Sequence, residues 1–174
     1  MDHLRFPIGR FEPIPHPTFE QRTGCIDEIR ELVPTLRNVL GGLHSEQLYT
    51  PYRPQGWTVQ QVVHHLADND MNAYLRFKRG LTEDNPLIST YREDLWAELD
   101  DYKDVPPETS LLLLEALHNR FVILLRSLNP SDFSKTITTQ LLGSITLDIA
   151  LQRFVWHHRH HVAQITSLKD RMGW

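Results

Sequence analysis

The chain has little cysteine, no long apolar run and no block of basic residues. Its only cysteine, Cys25, cannot form an internal disulfide, so the sequence predicts a cytoplasmic protein kept in a reducing environment. No apolar stretch reaches the roughly 20 residues of a membrane-spanning helix, and we expect no signal peptide at the N-terminus. The net charge of −4 and the lack of a basic run make a nucleic acid or an anionic membrane an unexpected partner.

The composition is sufficient for one hydrophobic core. Of 174 residues, 40% are hydrophobic and 23% are charged, which predicts a single globular domain over residues 1–174. Four prolines lie within residues 1–17, so this segment should form an extended arm over the body of the protein. Residues 131–145 are expected to form a loop with at most a little strand.

Apolar residues recur at helical spacing in four long segments. They predict helices over about residues 18–40, 58–80, 109–128 and 146–172, with a short helical segment near residues 94–99. Threonine N-caps begin three of the long helices. Four helices with connections of modest length predict an all-α four-helix bundle, a fold whose core often holds a metal between facing helices.

Four histidines occupy five positions of the last predicted helix. His157, His158 and His161 lie on or beside its apolar face, whereas His160 should point away from that face. His157 and His161 are four residues apart, so their rings project from one side of the helix. Two such rings can bind one divalent metal at about 2.0–2.1 Å. Alternatively, the cluster consists of ordinary polar side chains that are hydrogen-bonded or solvated.

A third ligand should come from the second long helix, which carries adjacent histidines. His65 lies at the edge of the buried stripe and is the better candidate, whereas His64 falls on the opposite side. Three histidines would leave a position for water, as in catalytic zinc sites. Zinc is the expected metal and nickel the alternative, since imidazole suits both. The other histidines are expected to be solvated or structural: His3, His16, His44 and His118.

Two further residues could take part in the site. Asp68, one turn after His65, could orient a ligand or act as a base, although a solvated helix charge is the favoured interpretation. Gln164, one turn after His161, could form a hydrogen bond in the pocket or pack at its rim. No glutamate adjoins the candidate ligands, so the sequence identifies no catalytic acid or base.

Segments along nearly the whole chain resemble the YfiT family of metal-dependent hydrolases, in the DinB-like superfamily of metal-binding four-helix bundles. These segments are Phe6–Gly9, Thr50–Arg53, Gly56–Val59, Val62–Asp68, Met71–Tyr74, Arg76–Lys78, Val155–His157, His160–His161 and Arg171–Trp174. The resemblance implies metal ligands at His65, His157 and His161. It also implies a homodimer and a small-molecule substrate. Family members can carry histidine where this chain has Arg159 and Gln164, so substrate choice can differ.

The resemblance leaves three activities open. One is metal-dependent hydrolysis by activated water. A second is the transfer of a low-molecular-weight thiol such as bacillithiol or mycothiol, as in related S-transferases of the superfamily. Both reactions need an anionic nucleophile bound to a Lewis acid at neutral pH. The third is a non-catalytic metal-binding module, in which the metal contributes only to folding.

Overall fold

The computed structural model describes residues 2–174, which form four long helices with short helices and strands between them. In chain order the elements are α1 (Asp2–Arg5), α2 (Phe19–Leu40), α3 (Ser45–Leu48), α4 (Val59–Thr82), β1 (Leu87–Ile88), α5 (Glu93–Trp96), α6 (Asp100–Asp104), α7 (Pro107–Arg126), a 3₁₀ turn (Pro130–Ser134), β2 (Thr136–Thr139), β3 (Gly143–Thr146) and α8 (Leu147–Met172). Helices α2 and α4 each pack against both α7 and α8. The predicted all-α four-helix bundle is confirmed.

Threonine caps begin three of the four long helices, as the sequence predicts. The hydroxyl oxygens of Thr18, Thr58 and Thr146 each accept a hydrogen bond from a backbone N–H in the first turn of α2, α4 and α8. Pro34 does not divide α2, which continues to Leu40 with buried residues on both sides of the proline.

The little strand expected within residues 131–145 is present and forms part of a sheet. Strand β2 pairs with β3 in antiparallel orientation and with β1 in parallel orientation, which gives a three-stranded sheet. Ile88 of β1 and Ile137 of β2 are buried and join the core of the bundle. Strands of two to four residues are too short to show an alternating pattern, so periodicity could not define the sheet.

The buried apolar residues form two clusters along the bundle. One contains Phe77, Phe121 and Phe154, and the other contains Val63 and Leu66 of α4 together with residues of α7 and α8. The buried histidines of α8 lie in sequence between its contributions to the two clusters. The buried histidines thus separate the residues that α8 contributes to one apolar cluster from those it contributes to the other.

The N-terminal segment is held against α8 by polar contacts. The side chain of Gln152 accepts a hydrogen bond from the N–H of Ile14 at 2.8 Å and donates one to its carbonyl at 2.9 Å. The carbonyl of Arg5, at the end of α1, accepts a hydrogen bond from Gln164 at 2.8 Å. Of the helices within residues 2–174, none combines the length and the apolar character that crossing a membrane requires.

Candidate metal centre

Three histidines from α4 and α8 converge on one point. The Nε2 atom of His157 lies 3.2 Å from Nε2 of His65 and 3.2 Å from Nε2 of His161. One nitrogen of each ring lies within 4.8 Å of the others. His65 is 2% exposed and His161 is 5% exposed, whereas His157 is half-buried. The structure therefore brings together the three residues that the sequence selects.

The spacing of these nitrogens fits a metal ion. A tetrahedral ion with bonds of about 2.0–2.1 Å holds its ligand atoms about 3.3–3.4 Å apart, close to the distances observed here. Burial lowers the pKa of His65 to about 4. Burial and the neighbouring imidazoles also lower the pKa values of His157 and His161 well below the ordinary range. All three rings are therefore neutral near pH 7 and have a lone pair to offer.

Gln164 sets the tautomer of His161. Its Oε1 accepts a hydrogen bond from Nδ1 of His161 at 2.8 Å, so the lone pair of that ring lies on Nε2, which faces the other two histidines. The amide Nε2 of Gln164 donates to the carbonyl of Arg5 at 2.8 Å and to Nε2 of His160 at 2.9 Å. These acceptors fix the orientation of the amide, because the reverse orientation would place two carbonyl oxygens together. Of the two roles considered for Gln164, the structure shows the hydrogen bond.

Trp57 forms one wall beside the three histidines. Its ring centroid lies 4.5 Å from that of His65 and 6.3 Å from that of His161, with the second pair stacked. The indole comes from the residue immediately before the N-cap of α4, so the start of this helix fixes its position. The indole therefore gives this side of the site an apolar lining.

His160 lies off the bundle-facing side of α8, as the sequence predicts, and is nevertheless buried. His160 is 6% exposed, and its ring stacks on Trp156 at 4.9 Å and lies 5.6 Å from Phe6. Helical periodicity places His160 off the bundle-facing side correctly, but the N-terminal segment covers that second side. His160 therefore contributes to the support of Gln164 and lies outside the group of three converging histidines.

Asp68 and His64 both form buried or half-buried hydrogen bonds away from this group. Asp68 accepts a hydrogen bond from the hydroxyl of Tyr102 at 2.6 Å, so the favoured interpretation of a solvated charge is wrong. His64 lies 2.7 Å from the hydroxyl of Ser110 and 2.9 Å from the carbonyl of Val105. These contacts occupy both ring nitrogens of His64, which leaves His65 as the member of the pair that faces His157.

A second polar cluster, which the sequence reasoning missed, lies in the bundle core. Oδ2 of Asp70 lies 2.6 Å from Nε2 of His118 and 2.5 Å from Nε2 of His158. Asp70 is 0% exposed. Burial alone would raise the pKa of Asp70, but the charge of His158 and the hydrogen bonds from both rings lower it to about 2. These short distances are those of two hydrogen bonds to one carboxylate oxygen, shorter than the spacing of ligands around a metal.

A match to a family model over most of the bundle shows to which family this chain belongs. A family model described as the DinB superfamily matches residues 28–165. This chain belongs to the DinB superfamily. This match confirms, at the level of the superfamily, the resemblance to the YfiT family. Proteins that match the chain from end to end extend the resemblance beyond residues 28–165.

Relatives of this DinB-superfamily chain match it from end to end. A protein of Bacillus mycoides (strain KBAB4) and one of Bacillus cereus (strain ATCC 10987) are each 47% identical over 174 residues, which covers all of both chains. Both bear the provisional name metal-dependent hydrolase. The solved structure of YfiT from Bacillus subtilis is 44% identical, has a TM-score of 0.96 and covers 99% of each chain. It is described as a probable metal-dependent hydrolase with an unusual four-helix bundle topology.

Proposed function

We propose that this protein is a metal-dependent hydrolase of a small-molecule substrate. The metal, zinc or alternatively nickel, would be held by His65, His157 and His161. The observation that carries the proposal is the convergence of three imidazoles beside Trp57, with Nε2 of His157 at 3.2 Å from Nε2 of both His65 and His161. The name metal-dependent hydrolase, which full-length relatives bear, supports it.

The donor set suits catalysis. Three protein ligands are typical of catalytic zinc sites, whereas structural sites use four. A metal held there supplies Lewis-acid activation of a water molecule or a thiol at neutral pH. The chain's own residues orient and line the site: Gln164 holds the ring of His161, and Trp57 gives one side an apolar lining.

Thiol S-transfer is the second candidate, and the position of the carboxylates favours it. The cluster of three histidines includes no aspartate or glutamate within residues 2–174. Asp68 is bonded to Tyr102, and Asp70 is bonded to two histidines of the core. A hydrolase needs a group that protonates the leaving atom, whereas transfer of a thiol sulfur to an electrophile makes a smaller demand for a dedicated acid.

The decisive experiment compares the two reactions on one preparation. Zinc-reconstituted protein would be assayed against a panel of esters and amides, and for conjugation of bacillithiol and other thiols to an electrophile. We expect metal-dependent hydrolysis that is lost in His157→Ala and retained in His16→Ala, a variant of an exposed histidine. Metal-dependent conjugation without hydrolysis would replace the hydrolase with the S-transferase. Inactivity in both assays, with metal bound, would indicate a metal-binding module.

The homodimer implied by the family resemblance is part of the proposal. Sedimentation velocity of the wild-type protein tests it directly, since a chain of 20.4 kDa and its dimer separate well. A single species at the monomer mass across micromolar concentrations would reject the dimer without affecting the metal site.

A further inference from the structure

Two arginines lie on the helix faces that also carry the candidate metal ligands. Arg153 precedes His157 by one turn of α8, and Arg76 follows His65 by eleven residues of α4, about three turns. The two helices run antiparallel, because they meet at the histidines and again where Gly80 closely approaches the first residue of α8. Both arginines fall between these two points of contact, on the same side of each helix as the histidines.

Neither arginine has an acidic partner. Among residues 2–174, no carboxylate oxygen lies within 4.0 Å of Arg76 or Arg153. Arg76 has one long hydrogen bond, 3.4 Å to the carbonyl of Ser89, and Arg153 lies 5.9 Å from the ring centroid of Phe11. By contrast, the half-buried Arg22 is bound by both oxygens of Asp148.

These two charges are partly withdrawn from water. Both side chains are half-buried, and burial lowers the pKa of each guanidinium, with the charge of Arg76 lowering that of Arg153 further. The nearby Glu93 opposes this effect but forms no ion pair with either. Arginine nevertheless remains protonated, so the two helices carry two positive charges here, and neither charge has an ion-pair partner among residues 2–174. A partly desolvated charge without a partner is costly, and an anion between the two would offset that cost.

A third donor lies near Arg76. The hydroxyl of Tyr91 is shielded from solvent and has no hydrogen-bond partner within residues 2–174. Burial raises the pKa of Tyr91, so the hydroxyl keeps its proton and is available as a donor. Its ring packs on Trp96 with centroids 4.4 Å apart, which holds it in place. The loop between α4 and α5 thus adds an unused donor to the two guanidinium groups.

We propose that Arg76 and Arg153 form an anion-binding subsite, and that the substrate of the metal centre carries a carboxylate or phosphate group that binds there. This inference rests on the proposed function for its link to a reaction. A guanidinium offers paired N–H donors that match either oxyanion. Arg153 is about 6 Å along the helix axis from His157, so one small molecule could reach both the metal and Arg153. Arg76 is about 16 Å along α4 from His65, so it would contact the far end of that molecule.

Anion binding can be tested without any reaction. The arginine side-chain Nε–H signals of labelled protein would be followed by NMR during titration with inorganic phosphate and, separately, with malonate. The titration would use zinc-loaded protein and metal-stripped protein freed of chelator. We expect saturable shifts of Arg76 and Arg153 in both forms, with at least tenfold weaker binding in Arg153→Met. The control Arg126→Met, which removes an exposed arginine paired with Asp27, should bind as the wild type does.

The outcomes separate this subsite from the proposed function. Tighter binding of phosphate or of malonate would identify the preferred anion. Shifts that do not saturate, or equal weakening in Arg126→Met, would overturn the subsite. Binding only to zinc-loaded protein, insensitive to Arg153→Met, would place the anion on the metal and also overturn it. Saturable, Arg153-dependent binding with no hydrolysis of any ester would keep the subsite and reject the hydrolase.

If hydrolysis is found, substrate preference provides a second readout. We expect Arg153→Met to lower the ratio of kcat/KM for an anionic ester to that for a matched neutral ester by about tenfold or more, mainly through KM for the anionic ester. An unchanged ratio would show that Arg153 does not bind the anionic group of the substrate.

Discussion

Replacement of Asp70 by asparagine should strongly destabilise the protein. Asp70 is completely buried and accepts hydrogen bonds from His118 at 2.6 Å and His158 at 2.5 Å. The asparagine oxygen can accept one of these bonds, but its NH₂ group would face the other ring N–H. The variant therefore loses a charge-assisted hydrogen bond and leaves a buried donor without a partner.

The expected loss is about 3–5 kcal/mol, the usual cost of removing one partner from a buried ionic group. The lowered pKa of Asp70 measures how strongly the folded protein favours the charged carboxylate over the neutral acid. A fall from 3.8 to about 2 corresponds to about 2 kcal/mol. Because this pKa is depressed, the contribution is complete above pH 4 and is lost as the pH falls through 2. Asparagine cannot provide it at any pH.

Urea denaturation of the chelator-treated protein at pH 7 measures this loss. With an m-value near 2 kcal/mol/M, the midpoint should fall by about 2 M. The matched control is Asp27→Asn, which removes an exposed ion pair with Arg126 and should cost less than about 1 kcal/mol. Equal midpoints for the two variants would refute the account of Asp70 as a buried charge on which the core depends.

Three further predictions concern the histidine site. His161→Ala should abolish stoichiometric zinc binding in equilibrium dialysis, while His160→Ala should keep it; equal loss would mean that the ligand face has been misassigned. Gln164→Met should weaken zinc binding by about 10–100-fold in chelator competition, because it removes the hydrogen bond that orients His161, and an unchanged Kd would contradict that role. The metal-free protein should lose stability between pH 7.5 and 5. His65 contributes about 2 kcal/mol of this loss, since its pKa of about 4 lies below the unfolded value near 6.5 and the unfolded chain takes up the proton first. The lowered pKa values of His157 and His161 add to the loss, and stability that does not change over this range would rule out neutral buried histidines.

The sequence predicts the main helices because their signals are local. Thr58 and Gln61 form a capping box within one turn, and the same two side chains begin α4 in the structure. The four-residue spacing of His157 and His161 is likewise a property of one helix. The choice of His65 over His64 depends only on the edge of a buried stripe, and the structure places His65 beside His157.

What the sequence reasoning missed depends on contacts between distant segments. Asp70 lies on the apolar stripe of α4, four residues after Leu66 and seven before Phe77, so its burial could have been anticipated from periodicity. Its partners, His118 and His158, come from two other helices, and periodicity does not say which residues meet across a bundle. The burial of His160 could not be predicted for the same reason, because Phe6, which covers it, lies about 150 residues earlier in the chain.

Anomalous diffraction at the zinc edge, from crystals grown with one equivalent of zinc, tests the central claim most directly. The account predicts one strong peak at about 2.0–2.1 Å from the Nε2 atoms of His65, His157 and His161. It predicts no peak between Asp70, His118 and His158, where the short distances belong to hydrogen bonds. Zinc in that second cluster, or no zinc at the three histidines, would contradict the assignment of the metal centre.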